Sequence, residues 1–194
     1  PLYITGTSFK SNWAEKLNSK IRFLPRSSEV IFISFVCCFI MLLCFKINPF
    51  IAGIGAFAFA FNTFSIVSTG AGHIFKVLAI AYAPLIIGAI ALLFNKKYIL
   101  GASLAILGIT LELAAKHYQI TYYLAFFGIV YVTYEIILAS IKKEYSHLGK
   151  VLGILIISAI IGLGPHISRL WSVQEYNNYS TRGKKELLVE KQEG

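Results

Sequence analysis

The sequence predicts an all-α, polytopic transmembrane helical bundle of about six membrane helices, and three observations carry that prediction. Six apolar stretches, at 30–45, 51–67, 77–94, 98–113, 120–141 and 151–167, fill most of the middle of the 194-residue chain. Hydrophobic residues make up 57% and charged residues 14%, and the mean hydropathy is +0.70, too apolar for a soluble domain of this length. The charges collect between the apolar runs and at the two ends. A hydrocarbon core about 30 Å thick takes about 20 helical residues, so several runs sit at or just below crossing length and fit short, tilted or incomplete crossings. No alternating barrel pattern is present, and amides in lipid must bond internally, which leaves the helix.

Each element follows in order. Residues 1–29 are basic and amphiphilic, with Phe9, Trp13, Leu17, Ile21 and Leu24 interleaved with Lys10, Lys16, Lys20, Arg22 and Arg26. Apolar spacings of three and four fit a helix lying in the headgroup plane and anchored by Trp13; a basic soluble connector is the alternative. Pro25 supplies a stop, and Ser27 and Ser28 an N-cap for the first crossing. Asn48 and Pro49 make a tight turn, because the residue before proline is pushed out of the helical region. A small-residue loop at 68–73, a basic turn at 95–97, a polar turn at 115–121 and a longer basic turn at 142–150 separate the remaining crossings. The last crossing ends near Gly164 and Pro165. The transmembrane domain, 30–167, thus lies between an interfacial segment, 1–29, and a polar tail, 168–194, which the resemblance described below implies is extracytoplasmic. No internal repeat stands out. The chain begins with Pro1 and ends in a charged run, 184–194, as expected of a segment of a longer protein.

The net charge of +9 therefore sits at the membrane surface, where membrane lipids with anionic headgroups are the natural partners. Nucleic-acid binding is the reading for a soluble basic domain and is not expected. Cys37, Cys38 and Cys44 all fall in the first apolar run, with no metal-ligand spacing and no extramembrane disulfide framework, so they read as small packing residues. No metal and no cofactor are expected. No Ser–His–Asp arrangement is visible, and the chain contains no Asp. Six crossings put both ends on one side. Lys96, Lys97, Lys142, Lys143 and Lys150 favour the cytoplasm for their turns and hence ends outside; the five basic groups between residues 10 and 26 argue the reverse.

Alternation also brings three polar clusters to one face: His73 and Lys76; Lys116, His117 and Gln119; and the tail from Arg169 to Arg182. Lys, Arg and His at headgroup depth make a phosphate site, because charge-assisted bonds strengthen where water is scarce, with Glu112 and Glu175 as counter-charges. Ordinary snorkelling of helix-end cations to lipid phosphates is the plainer alternative. In the segment 68–76, glycines permit close backbone approach ahead of a helix N-terminus that favours an anion, though the pattern is not a Walker loop; a simple linking turn explains it equally. Glu112 and Lys116 are spaced for an i,i+4 pair. Glu135 lies within the fifth crossing, where a carboxylate is a functional candidate by default, unless tilt brings it to the interface. Tyr118, Tyr122, Tyr123, Tyr176 and Tyr179 suit an interfacial aromatic belt, with stacking on a sugar as the other option.

At these same clusters the chain resembles the YfhO family of bacterial integral membrane proteins, in the form common among Bacteroidetes. The resemblance rests on Ala-Gly-His-Ile-Phe-Lys at 71–76 followed by Ala-Ile-Ala-Tyr-Ala-Pro at 79–84, on Leu-Glu-Leu-Ala-Ala-Lys-His-Tyr-Gln-Ile-Thr-Tyr-Tyr at 111–123, and on Arg-Leu-Trp-Ser-Val-Gln-Glu-Tyr-Asn-Asn-Tyr-Ser-Thr-Arg-Gly at 169–183. That family is similar to the GT-C glycosyltransferases, membrane enzymes that take a sugar from a polyprenyl-phosphate carrier at the extracytoplasmic face. The resemblance implies a GT-C-like fold, ends outside, a multi-pass place in the bacterial cytoplasmic membrane, and a cell-envelope polymer as acceptor. It also implies a catalytic acid in a loop after a first crossing. The chain is expected to start within or just after that loop and has no Asp, so the catalytic residue is unknown and the segment is not expected to be a complete enzyme.

The resulting expectation is a fragment of a membrane glycosyltransferase in which His73, Lys76, His117, Gln119, Arg169, Glu175 and Arg182 bind the phosphate of a lipid-linked sugar. Charge growing on the leaving phosphate would be stabilised electrostatically. Two rivals use the same cations differently. One is a transporter or flippase for a lipid or anionic solute, with Glu135 as the coupling carboxylate; the other is a non-catalytic membrane scaffold.

Overall fold

The computed structural model describes residues 26–168 together with 171–172. These form seven α-helices and a closing 3₁₀ turn, with no strand among them. The helices are α1 (Arg26–Cys44), α2 (Pro49–Ala60), α3 (Thr63–Gly70), α4 (Ile74–Phe94), α5 (Tyr98–Ala114), α6 (Tyr118–Ile141) and α7 (Tyr145–Leu163), and the 3₁₀ turn is Gly164–His166.

By length and composition three of these can cross a membrane: α4, α6, and α7 with its 3₁₀ extension. The bent pair α2 and α3 makes a fourth if taken as one span, while α1 and α5 are apolar but shorter. Every predicted apolar stretch is therefore helical. The stretch at 51–67 is not one rod, because α2 and α3 meet at a 40° bend. Asn62 causes the break: its side-chain oxygen accepts from the Ser65 amide at 2.8 Å and caps a new helix. Three turns are shorter than expected, the polar one at 115–121 being only 115–117 because α6 starts at Tyr118. Helix α3 runs on to Gly70, so the loop predicted at 68–73 is only 71–73; α7 starts at Tyr145, so most of the basic segment at 142–150 is helical. Ser27 and Ser28 lie in the first turn of α1 and not ahead of it. Asn48 does cap α2, accepting from the Phe50 amide at 2.9 Å, with Pro49 at the first helical position.

Helix α4 is the centre of the bundle: 61% of its apolar span is buried, against 6% for α6. It packs between α1 and α5; α2 lies on α1, and α7 lies on α5. Glycine permits these close approaches, as it does in membrane bundles, where no hydrophobic drive separates lipid from helix. Gly88 of α4 sits against Met41 and Cys44 of α1, Gly101 and Gly108 of α5 against Leu93, Leu85 and Ile86 of α4, and Gly162 of α7 against Ile109 of α5. Cys37, Cys38 and Cys44 are free and buried in this packing.

The connecting turns share one design. Lys46, Lys96, Lys116 and Lys143 have φ between 58° and 64°, and Gly72 has φ 82°. In four of the turns the next amide, of Ile47, His73, Lys97 or Glu144, bonds back to a carbonyl five residues earlier, closing the helix end. A left-handed lysine is strained, but its cation lies where the helix C-terminus is negative.

Candidate functional site

The bundle has two poles. Gly101 faces Leu93 while Gly108 faces Leu85 and Ile86, which fixes α4 and α5 as antiparallel and, carried forward, sets Lys76 level with His117. Gly162 against Ile109 and the 2.9 Å contact between His166 Nε2 and the Thr110 carbonyl bring the end of α7 to this pole. The start of α1 joins it, because Glu29 and Val30 line a cavity of about 290 Å³ with Gly72, Phe75 and Tyr82. His73, Lys76, His117 and Gln119 thus occupy one end of the molecule. Arg169, Glu175 and Arg182, like the interfacial helix expected within 1–29, lie outside the described residues.

Their local settings differ. His73 is exposed at the head of α4. Lys76 is half-buried, with its ammonium 5.0 Å from the centre of the Phe64 ring, a cation–π contact that aims it at α3 and away from the cavity beside Glu29. Gln119 is exposed and donates to the Tyr123 hydroxyl at 3.1 Å. His117 is half-buried between α5 and α6, and its Nδ1 is shut off from solvent with no hydrogen-bond partner among the described residues. Thr69, at the end of α3, holds a second such atom, Oγ1. Buried polar atoms without partners are costly, so both mark positions where a further donor or acceptor is stabilising. Among the described residues no hydrogen bond or ion pair links His73, Lys76, His117 and Gln119 directly.

Glu112 departs from expectation. It does not pair with Lys116, which is exposed in the turn; the left-handed Lys116 backbone, φ 58°, ends the helical geometry on which i,i+4 pairing depends. Glu112 is instead 1% exposed and accepts from the Thr121 hydroxyl at 2.9 Å, on the wall of an otherwise apolar cavity of about 240 Å³ between α4, α5, α6 and α7. The sequence signal that could have found it is the isolated carboxylate in an apolar helix. Glu135 is half-buried on the peripheral helix α6.

The opposite pole was weighed in the sequence only for topology. It carries Lys46, Lys96, Lys97, Lys142, Lys143 and Lys150. Lys46 donates to the Asn95 side chain at 3.0 Å, and Lys96 pairs with Glu144 at 2.9 Å. His147, 9% exposed, pins three helix ends together, with Nε2 3.1 Å from the Phe94 carbonyl and Nδ1 2.8 Å from the Tyr98 hydroxyl. A carbonyl only accepts, so Nε2 carries a proton, while the Tyr98 hydroxyl can either donate to or accept from Nδ1.

Fold and composition define a class: an all-helical membrane protein with polar residues gathered at both poles. Comparison with protein-family models, curated proteins and solved structures finds no match for the chain.

Proposed function

We propose that this chain is part of a YfhO-type, GT-C-like membrane glycosyltransferase with six crossings and both ends outside the bacterial cytoplasmic membrane. Its pole at His73, Lys76 and His117 holds the phosphate of a polyprenyl-phosphate-linked sugar, and a cell-envelope polymer is the acceptor. What supports the reading is the register of α4 against α5, which carried forward sets Lys76 level with His117, together with the buried His117 Nδ1, which has no hydrogen-bond partner among the described residues. A phosphate oxygen between α4 and the α5–α6 turn would accept from Lys76 and from a His117 ring N–H, offsetting negative charge as the glycosyl–phosphate bond breaks. Gln119, Arg169, Glu175 and Arg182 complete the binding set by the family resemblance. The base that activates the acceptor hydroxyl is assigned to no residue of this chain. The six lysines of the opposite pole favour the cytoplasm for that end, which supports the orientation.

The test is sugar transfer from a lipid-linked donor by the full-length protein carrying Lys76→Ala or Arg182→Ala. Transfer is expected to fall by about two orders of magnitude, the usual size for loss of one transition-state charge contact. Unchanged transfer removes these residues from the mechanism. Proton-dependent lipid or solute flux that Glu135→Gln abolishes, without any transfer, would establish the transporter instead.

A further inference from the structure

The basic pole contains a shallow, open pocket that the glycosyltransferase reading does not use. About 350 Å³ in volume, it lies between the starts of α5 and α7, with Lys96, Lys143 and Lys150 on its walls beside Tyr98, Glu144 and His147. Glu144 is committed to Lys96 at 2.9 Å, so the charge balance of the walls leaves Lys143 and Lys150 uncompensated. His147 carries no negative charge to offset them, and both its ring nitrogens are held, by Phe94 and Tyr98. Neither Lys97 nor Glu144, which precede α5 and α7, caps its helix with its side chain, so first-turn amides of two helices add donors to the same space.

The membrane supplies the depth. Next in sequence to the lysine turns the surface is apolar and open, with Ile99 in the first turn of α5 84% and Ile141 at the end of α6 73% exposed, and Tyr98 and Tyr145 open α5 and α7 as interfacial tyrosines would. A ligand that fits carries several acceptor oxygens and negative charge at its head, with hydrocarbon directly attached. We propose that this cavity binds the phosphate group of an anionic phospholipid, held by Lys143 and Lys150, with the acyl chains lying along Ile99 and Ile141. The assignment needs the chain to lie in a bilayer and is independent of glycosyl transfer at the other pole.

The experiment is native mass spectrometry of the full chain in micelles titrated with phosphatidylglycerol, phosphatidylcholine or inorganic phosphate. Phosphatidylglycerol is expected to be retained in preference to phosphatidylcholine. The double variant Lys143→Ala/Lys150→Ala should weaken its retention roughly 30-fold, the effect of two lysines at an anionic surface, whereas Lys143→Arg/Lys150→Arg keeps it. The control Lys97→Ala/Lys142→Ala removes the same charge outside the cavity and should change retention less than threefold. Inorganic phosphate displacing the lipid at equal concentration would show that the site takes the phosphate group free of its chains, overturning the lipid assignment. Equal retention of both lipids, or equal losses in the two alanine pairs, would overturn the site itself. Circular dichroism of each variant secures the comparison, since all four lysines are exposed.

Discussion

Gly162 packs α7 against α5 at Ile109, and Gly162→Ala tests whether that contact positions the polar pole. A Cβ placed there lies 2.9 Å from both Cβ and Cγ2 of Ile109 and 3.3 Å from the Ile106 carbonyl oxygen. Carbon pairs prefer about 3.5–4.0 Å, so roughly 0.6–1 Å must be found. Neither a branched Cβ nor a backbone oxygen can rotate away, and the helices must part. Overpacking of this kind costs about 1–3 kcal/mol, offset in part by the gain of about 1 kcal/mol in helix propensity from Gly to Ala. Gly153→Ala in the same helix meets nothing within 4 Å, so it carries the propensity gain without the clash. The difference between the two variants isolates the packing penalty at about 2 kcal/mol, or roughly 4–8 °C in Tm for a chain of this size. Parting α7 from α5 also stretches the 2.9 Å bond from His166 to Thr110. The assay is thermal unfolding of both variants in the same micelle by far-ultraviolet circular dichroism. A Gly162→Ala protein melting at or above Gly153→Ala would refute the close approach and the register built on it.

Two further outcomes follow from the side-chain network. Glu112→Ala, which strips the half-buried Thr121 hydroxyl of its 2.9 Å acceptor and leaves it only the 3.4 Å contact to the His117 carbonyl, should cost about 1 kcal/mol, while Glu112→Gln keeps an acceptor and costs less. Lys116→Ala should leave Tm unchanged, and a Lys116 effect as large as that of Glu112 would restore the i,i+4 pair. At the other pole the hydrogen bond and charge of Lys96 hold the Glu144 carboxyl below the ordinary carboxylate range, while the hydrogen bond to Glu144 and its charge raise the Lys96 ammonium. The lowered carboxyl adds stability above its unfolded pKa and loses it as pH falls through the folded one; the raised lysine adds stability below its unfolded pKa and loses it as pH rises through its folded one. The Tm advantage of wild type over Glu144→Gln should therefore be flat near neutral pH and be lost in acid, as pH falls through the lowered folded pKa of Glu144. It should also shrink with salt, because both groups are exposed; an advantage that survives acid would show that the charge is not its source.

Much of the helical layout was legible because hydropathy and solvent set it together. Each apolar stretch became a helix, since lipid leaves unpaired amides no alternative. The failures were local. Asn62 lies in an apolar run that hydropathy smooths over, yet one side-chain oxygen bonded to the Ser65 amide is enough to start a new helix. The left-handed lysines escaped notice because the left-handed region is expected of Gly and Asn. Gln119 and His117 were found as part of a polar turn, but sequence gives no sign that one would be exposed on Tyr123 and the other half-buried with an unpartnered Nδ1.

Sequence by itself determined the solvent of this protein, its helical state and the alternation that sends its polar turns to two poles. These depend on free energies summed over many residues, and such sums survive errors at single positions. Only the tertiary structure decided which carboxylate is buried, which helix is central, and that the starts of α5 and α7 flank a cationic pocket. Each of those depends on a register between helices, set by where a glycine lets two backbones meet, and contact of that kind has no signature in a single strand of sequence.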